Sequence, residues 1–252
     1  MVNRLADFHP TTLDDMDGIK LLKRYDTKFT FHKDQLADVF SHLTQNYKIL
    51  EIGNHRSFTY ENIYYDTDDY LFYNQHHNKK LNRYKIRCRR YQQSNQRFFE
   101  VKFKNNRRKT IKSRLPLANG EIHPGLCEES KIFAKEHMTN GDRRIVDQLR
   151  PKLQVEYNRI TLTNQAKKER LTIDIGLTYI DKNSKRCRID NLVIAELKSE
   201  KVSMNSKLYQ FLKGLNIFPT RFSKYCMGVA MTEQRIKSNR FKKNLLRLNR
   251  FF

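Results

Sequence analysis

The sequence predicts an α+β fold dominated by antiparallel strands, curled into a tunnel with charged faces inside and helices packed outside. Three observations carry that expectation. Segment after segment alternates cationic and apolar residues with the two-residue period of a strand. Lys and Arg number 50 against 27 Asp and Glu, a formal charge of +23 in 252 residues. Stretches with helical spacing are few, and neither an internal repeat nor a low-complexity linker divides the chain. With 38% hydrophobic residues, the chain can bury one sizeable core.

The elements follow in order. Residues 22–31 (LKRYDTKFTF) set Arg24, Asp26, Lys28 and Thr30 on one strand face and Tyr25, Thr27, Phe29 and Phe31 on the other. Residues 34–43 have helical spacing. Residues 83–91 (RYKIRCRRY) align Arg83, Lys85, Arg87 and Arg89 opposite Tyr84, Ile86 and Cys88. Residues 98–104 set Glu100, Lys102 and Lys104 against Phe99, Val101 and Phe103, and residues 110–114 align Lys112 with Arg114. Helices are expected over 128–137 and 143–149. Three more strands follow: 153–160, with Tyr157 and Arg159 on one face; 170–175, with Arg170, Thr172 and Asp174; and 192–198, with Glu196 and Lys198. A helix over 206–215 and a basic helix over 235–249 close the chain. His76 and His77 (YNQHHNKK) are expected in a turn or loop, and Asp66 in a structural role.

An ordinary solvated sheet face mixes both signs of charge with Ser, Thr and Asn. Here the polar faces are overwhelmingly cationic, and like charges on neighbouring strands repel. A bound polyanion would offset that cost. A lumen lined by strands is too narrow for double-stranded nucleic acid, so a thin, densely charged chain is the expected ligand.

Other classes of site are not indicated. Cys88, Cys127, Cys187 and Cys226 lack the spacing of a zinc site or a disulfide framework, which suits a reducing cytoplasm. No apolar run reaches the length of a membrane span, and the N-terminus lacks a signal-peptide core. The expected location is therefore cytoplasmic, with membrane association through the C-terminus as an option. That segment, from Gln234, carries Arg235, Lys237, Arg240, Lys242, Lys243, Arg247 and Arg250 and no acid. The charge of +23 falls only to +16 without them, so the rest of the chain is basic in its own right.

The run YYDTDDYLFYNQHHNKKLNRYKIRCRRY, followed by FFEVKFKNNRRKTIKSR, resembles the VTC domain, the polyphosphate polymerase branch of the CYTH-like triphosphate tunnel enzymes. The resemblance continues in order through RYDTKF, LQVEYNR, RLTID, AELK and FSKY, about 200 residues in all. It implies an eight-stranded antiparallel barrel, expected here over residues 1–232, and the charge run that follows is expected as a basic helix or tail over 233–252. It further implies that ATP donates its γ-phosphate to a growing inorganic polyphosphate chain, with Mn²⁺ or Mg²⁺ as cofactor. Transferred residue by residue, the catalytic lumen comprises Lys28, Arg87, Arg89, Lys102, Lys112, Arg159 and Arg170. Arg24, Lys85, Arg114, Lys198, Arg221 and Lys224 would add substrate-binding charge. Glu196 and Glu100 would hold the metal.

Two departures inform the reading. Arg221 stands where a Lys is expected ahead of FSK, exchanging a point donor for a planar fork. Arg24 stands where hydrolytic relatives favour a glutamate, leaving fewer metal ligands and more phosphate-binding charge. That favours building phosphate chains over a metal-dependent tripolyphosphatase or nucleoside triphosphatase. A nucleic-acid-binding module is the third reading; it is disfavoured because the cations alternate along strands, and no specific nucleic acid is expected. Any translocation of product would need a membrane protein partner, and the basic C-terminus would suit an anionic membrane surface.

Overall fold

The computed structural model describes residues 2–17, 25–122, 124–200 and 206–252. Its strands are β1 (Pro10–Thr11), β2 (Tyr25–His32), β3 (Lys48–Leu50), β4 (Phe58–Asp66), β5 (Arg83–Tyr91), β6 (Arg97–Lys104), β7 (Thr110–Leu117), β8 (Arg150–Asn164), β9 (Glu169–Ile180), β10 (Arg186–Ile189) and β11 (Leu192–Ser199). The helices are α1 (Val2–Leu5), α2 (Leu13–Asp17), α3 (Leu36–Leu43), α4 (Leu71–His77), α5 (Glu128–Glu136), α6 (Lys207–Gly214), α7 (Lys224–Thr232) and α8 (Lys242–Leu248).

All eleven strands belong to one sheet. Its main path, β2-β11-β9-β8-β4-β5-β6-β7, is antiparallel throughout, with β1, β3 and β10 attached at its sides. The expected closed eight-stranded barrel is corrected on this point: among the described residues β2 and β7 do not pair, and the sheet stays open between them. Residues near Pro219 run along the free edge of β2 instead. Phe29 bridges Pro219, and the amide of Thr220 donates to the Lys28 carbonyl at 2.7 Å. β7 carries Pro116, which an edge strand accommodates because a backbone donor is dispensable there.

Side-chain alternation makes the outward faces apolar as expected, but the concave face is only partly charged and, against the expectation of helices outside alone, receives one helix. Outward residues Phe29, Phe31, Ile160, Leu162, Leu171, Ile173, Val193, Ala195 and Leu197 form one core with Leu36, Val39, Phe40 and Leu43 of α3 and Leu208 and Leu212 of α6. Outward residues Ile63, Tyr65, Tyr84, Ile86, Cys88, Phe99 and Val101 form another with Phe72 of α4 and Ala134 of α5. A third cluster lies on the concave face. There Leu153, Val155, Leu177, Tyr179, Leu192 and Ile194 pack against Tyr225, Cys226, Met227 and Val229 of α7.

Helix α7 thus fills one end of the sheet's hollow. Ser223 caps it by accepting from the Cys226 amide at 3.3 Å. Gly228 permits its close approach, since a Cβ there would stand 2.4 Å from Leu153 Cδ2 and 2.6 Å from Tyr179 Cδ1. Asp66, at the end of β4, ties this helix to α4. Its Oδ1 accepts from the amides of Thr67 and Phe72, both at 2.8 Å, and its Oδ2 from the Tyr73 amide at 2.9 Å and the Tyr225 hydroxyl at 2.5 Å. The expected structural role of Asp66 is therefore that of a buried acceptor satisfying the first turn of α4.

His76 and His77 lie in α4, not in a loop as expected. Buried His77 accepts from the Arg240 amide at 3.3 Å, and burial followed by nearby cations lowers His76 to about 2, so it stays neutral. The basic segment after residue 233 folds back on the body: Leu248 and Phe251 are buried in the third cluster, and the Tyr73 hydroxyl donates to the Lys237 carbonyl at 3.0 Å. The helix within it is α8, shorter than the 235–249 expected. Residues 140–148 form a 3-10 helix. No helix of the described residues is long and apolar enough to cross a membrane.

Candidate active site in the cationic lumen

The half of the hollow that α7 leaves open is a cavity of about 1180 Å³, lined by the inward faces of β2, β4–β9 and β11 and floored by Phe222, Ser223, Lys224 and Tyr225. Strand parity puts the cations there: on β5, Lys85, Arg87 and Arg89 share one face because side chains alternate. The described lining holds eleven Lys and Arg side chains and three carboxylates, Asp26, Glu100 and Glu196. The imbalance is a field that favours a multiply charged anion over a single carboxylate or phosphate.

Register organises these charges into rows. Lys85, Lys102 and Lys112 lie directly opposite one another across β5, β6 and β7. Lys85 donates to Ser223 Oγ at 2.8 Å, while Lys102 has no carboxylate within ion-pair distance among the described residues. Lys102 is open to the cavity yet enclosed by protein. That enclosure, then repulsion from Lys85, Arg87 and Lys28, lowers it to about 8. Enclosure also lowers Lys112 to about 8, against the pull of Glu100.

The next row towards the β5–β6 turn is Tyr64, Arg87, Glu100 and Arg114. Arg87 donates through Nε to Glu100 Oε2 at 2.5 Å and through Nη1 to the Tyr64 hydroxyl at 3.1 Å, and Lys112 pairs with Glu100 Oε1. Burial alone would raise the Glu100 carboxyl. Arg87, Arg89 and Lys112 outweigh it and hold Glu100 well below the usual carboxylate range. One residue pair further, Arg89 donates to Asn62 Oδ1 at 2.9 Å, and Asn62 is itself anchored by donating to the Val155 carbonyl at 3.1 Å.

On the opposite wall Arg159 grips Asp174 with two bonds, Nε to Oδ1 at 2.6 Å and Nη2 to Oδ2 at 2.8 Å. Lys224 donates to the same Oδ2 at 2.5 Å across 50 residues of sequence. Asp174 is buried, which taken alone raises its pKa; Arg159 and Lys224 nevertheless hold it far below its ordinary value. On β2 and β11, Lys28 pairs with Glu196 Oε2 at 2.9 Å and Lys198 with Glu196 Oε1, with Asp26 3.8 Å from Lys198. Arg170 sits opposite Lys198 in the register and also lines the cavity.

Aromatic side chains interleave with the cations. Tyr157, Tyr60, Tyr91 and Phe98 form an arc over β8, β4, β5 and β6 with successive ring centroids 5.3, 4.8 and 5.7 Å apart. Arg89 and Arg159 lie 5.0 and 4.9 Å from the Tyr60 centroid, and Lys224 lies 4.4 Å from that of Tyr157. Burial would raise the Tyr157 hydroxyl, but Arg89, Arg159 and Lys224 together lower it. These rings help fix the directions of the guanidinium groups. Sequence patterning did not single out Tyr60, Tyr91 or Phe98 because uncharged residues break the cationic alternation.

The structure thus gathers Lys28, Lys85, Arg87, Arg89, Lys102, Lys112, Arg114, Arg159, Arg170, Lys198, Lys224, Glu196 and Glu100 around one cavity. Arg24 lies outside the described residues. Arg221 does not line the cavity; it is exposed in the segment before α7, and its carbonyl accepts from Asn244 Nδ2 at 2.8 Å.

Among the described residues no group of three or more His, Cys, Asp or Glu is arranged to hold a metal ion. The donor set suits a hard divalent cation only as a shared ligand, with one protein carboxylate and phosphate oxygens completing the shell. Glu196 fits that part because its side chain is 20% exposed to the cavity, although Lys28 and Lys198 sit on its oxygens and an incoming ion would displace one of them. Glu100, expected as a second ligand, does not: it is buried with Arg87 and Lys112 on its oxygens and acts as their counter-charge.

The VTC domain matches residues 23–233. Among solved structures, a candidate adenylate cyclase from Bacillus halodurans superposes with a TM-score of 0.53 at 14% identity, covering 84% of this chain and 98% of that one. A candidate adenylyl cyclase from Hippeastrum with a dominant triphosphatase activity gives a TM-score of 0.47 at 10% identity, covering 85% and 98%. The first of these shows a shared fold. No curated protein matches the sequence.

Proposed function

We propose that this chain, which belongs to the VTC domain family through the match over residues 23–233, is a polyphosphate polymerase that transfers the γ-phosphate of ATP to an inorganic polyphosphate chain. The observation that carries the reading is the row Lys85–Lys102–Lys112, three directly opposed ammonium groups facing one cavity. Opposed like charges cost stability in a sheet. A phosphate chain running along the row offsets that cost.

In this reading the triphosphate lies in the lumen, with the fixed forks of Arg87, Arg89 and Arg159 directed at phosphoryl oxygens and Lys28, Lys102 and Lys112 serving as point charges. The terminal oxygen of the chain attacks the γ-phosphorus in line. The new P–O bond forms as the bond to the β-phosphate oxygen breaks, and ADP leaves with the electron pair. The nucleophile is already anionic, so no base is needed. The only histidine in the described lining, His55, belongs to the β3–β4 connection at the mouth. Catalysis then rests on positioning and charge stabilisation, which suffice for phosphoryl transfer.

Glu196 would hold Mn²⁺ or Mg²⁺ against the triphosphate, where the ion neutralises charge on the phosphoryl oxygens. Arg24 supports chain building over hydrolysis, since a cation replaces a carboxylate near the first lumen strand. Arg170, Lys85, Arg114, Lys198 and Lys224 extend the binding surface for product.

The test is incubation of the purified chain with ATP and Mn²⁺, resolved for ADP and phosphate chains. A ladder of long chains with stoichiometric ADP is expected, and Arg87→Ala abolishes it. Orthophosphate without chains, or normal polymerisation by Arg87→Ala, would overturn the proposal.

A further inference from the structure

The segment after α7 presents a surface that the lumen does not use. All seven Lys and Arg side chains from Gln234 onward are exposed or half-buried, and none forms an ion pair with a carboxylate of the described residues. The backbone that carries them is nevertheless held in place. Leu248 and Phe251 are buried, the Asn191 amide donates to the Phe251 carbonyl at 3.1 Å, and Asn244 Nδ2 donates to the Arg221 carbonyl at 2.8 Å. Like charges fixed side by side repel, and neither Asp nor Glu occurs from Gln234 to Phe252 to offset them.

The apolar side chains of this segment divide into two sets. Leu248 and Phe251 face the body, whereas Leu246 is 58% and Phe252 59% exposed. Leu246 stands three or four residues from Lys242 and Lys243 in α8 and from Arg250 in the 3-10 turn that follows, the spacing of neighbours on a helix surface. A lone exposed leucine is ordinary, but one ringed by unpaired cations constrains the partner. A phosphate chain or a nucleic-acid backbone would cover the charges and leave Leu246 in water. Anionic headgroups over hydrocarbon match both features. The basic surface also continues beyond α8. Arg221, tied to it through Asn244, is exposed, and Lys104 is lowered by burial and then by Arg83, Arg108 and Arg221.

We propose that the exposed face of α8, with Arg221 beside it, docks on an anionic bilayer surface. The cations neutralise the lipid headgroups, and Leu246 enters the boundary between headgroups and acyl chains. The contact is with the surface layer and needs no spanning helix. Docking of this kind does not depend on the reaction in the lumen, because none of these side chains lines the cavity.

The experiment is co-sedimentation of the full chain with vesicles of phosphatidylcholine alone and of phosphatidylcholine mixed with phosphatidylserine. Binding to the mixed vesicles only is expected, weakening as salt is raised. A cation near an anionic bilayer contributes about fivefold, so Lys242→Ser combined with Lys243→Ser should weaken binding about 25-fold. Leu246→Ser leaves the charge unaltered and should weaken it about tenfold through lost apolar burial. Both variants change exposed side chains, and their thermal unfolding and tripolyphosphate binding should match those of the wild-type chain. No binding to the mixed vesicles, or Leu246→Ser binding them as tightly as wild type, would overturn the proposal. So would a double variant that loses affinity for long-chain polyphosphate but keeps it for the vesicles, since the surface would then serve a phosphate polymer.

Discussion

Asp174→Asn removes the one carboxylate that holds Arg159 and Lys224 together while barely changing volume. The structure sets the size of the effect. Three charge-assisted bonds of 2.5–2.8 Å converge on a buried carboxylate, and the two cations stay in the lumen when it is neutralised. Breaking a buried pair on one side costs about 3–5 kcal/mol. The side chains of Arg159 and Lys224 are 17% and 14% exposed, so the lower end, about 3 kcal/mol, applies. For a chain of this size that corresponds to a melting temperature about 6–12 °C lower. The assay is thermal unfolding with and without tripolyphosphate. The variant should melt lower alone and gain more from the ligand, because the anion supplies the missing counter-charge. The pH dependence has a definite sign. A carboxylate whose folded pKa is depressed contributes stability that is present above its unfolded value, near 4, and lost as pH falls towards the folded one. The gap between variant and wild type should therefore narrow from about pH 4 downward. A variant melting within 2 °C of wild type at pH 7, or gaining less from tripolyphosphate, would refute this account of the pair.

Lys102 and Lys112, both lowered to about 8, are partly deprotonated there, and a bound polyanion favours their charged forms. Tripolyphosphate binding at pH 8 should therefore take up protons, measured as heats that differ between buffers of unlike ionisation enthalpy; equal heats would contradict it. Gly228→Ala places a methyl group against Leu153 and Tyr179 and should destabilise by about 1–3 kcal/mol in a denaturant titration. Glu196→Gln should weaken Mn²⁺ binding to the chain with tripolyphosphate bound while leaving the metal-free fold intact by circular dichroism; unaltered metal affinity would remove Glu196 from the shared-ligand role.

Much of the lumen was legible because a strand converts order along the chain into sidedness. Lys85, Arg87 and Arg89 had to share a face, as did Glu196 and Lys198, and the apolar partners Ile86, Leu171 and Ile173 had to face outward. Strand β4 escaped charge-based reading because its inward residues are Phe58, Tyr60, Asn62 and Tyr64, none of them ionised at neutral pH. Helix α7 escaped helical patterning because it is apolar nearly all round and carries Gly228, both consequences of its seat inside the sheet.

Alternation and motif order pointed to basic strand faces lining one cavity and to most of the charged residues that line it. Tertiary structure decided how those residues are paired. Glu100 became the counter-charge of Arg87 and Lys112, Lys224 reached Asp174 from a different element, and Arg221 was left on the surface. It also decided that the sheet stays open, with α7 seated at one end of its hollow. Sidedness is a local property of each strand. Charge pairing depends on the packing distance between elements far apart in the chain, and only the assembled fold sets that distance.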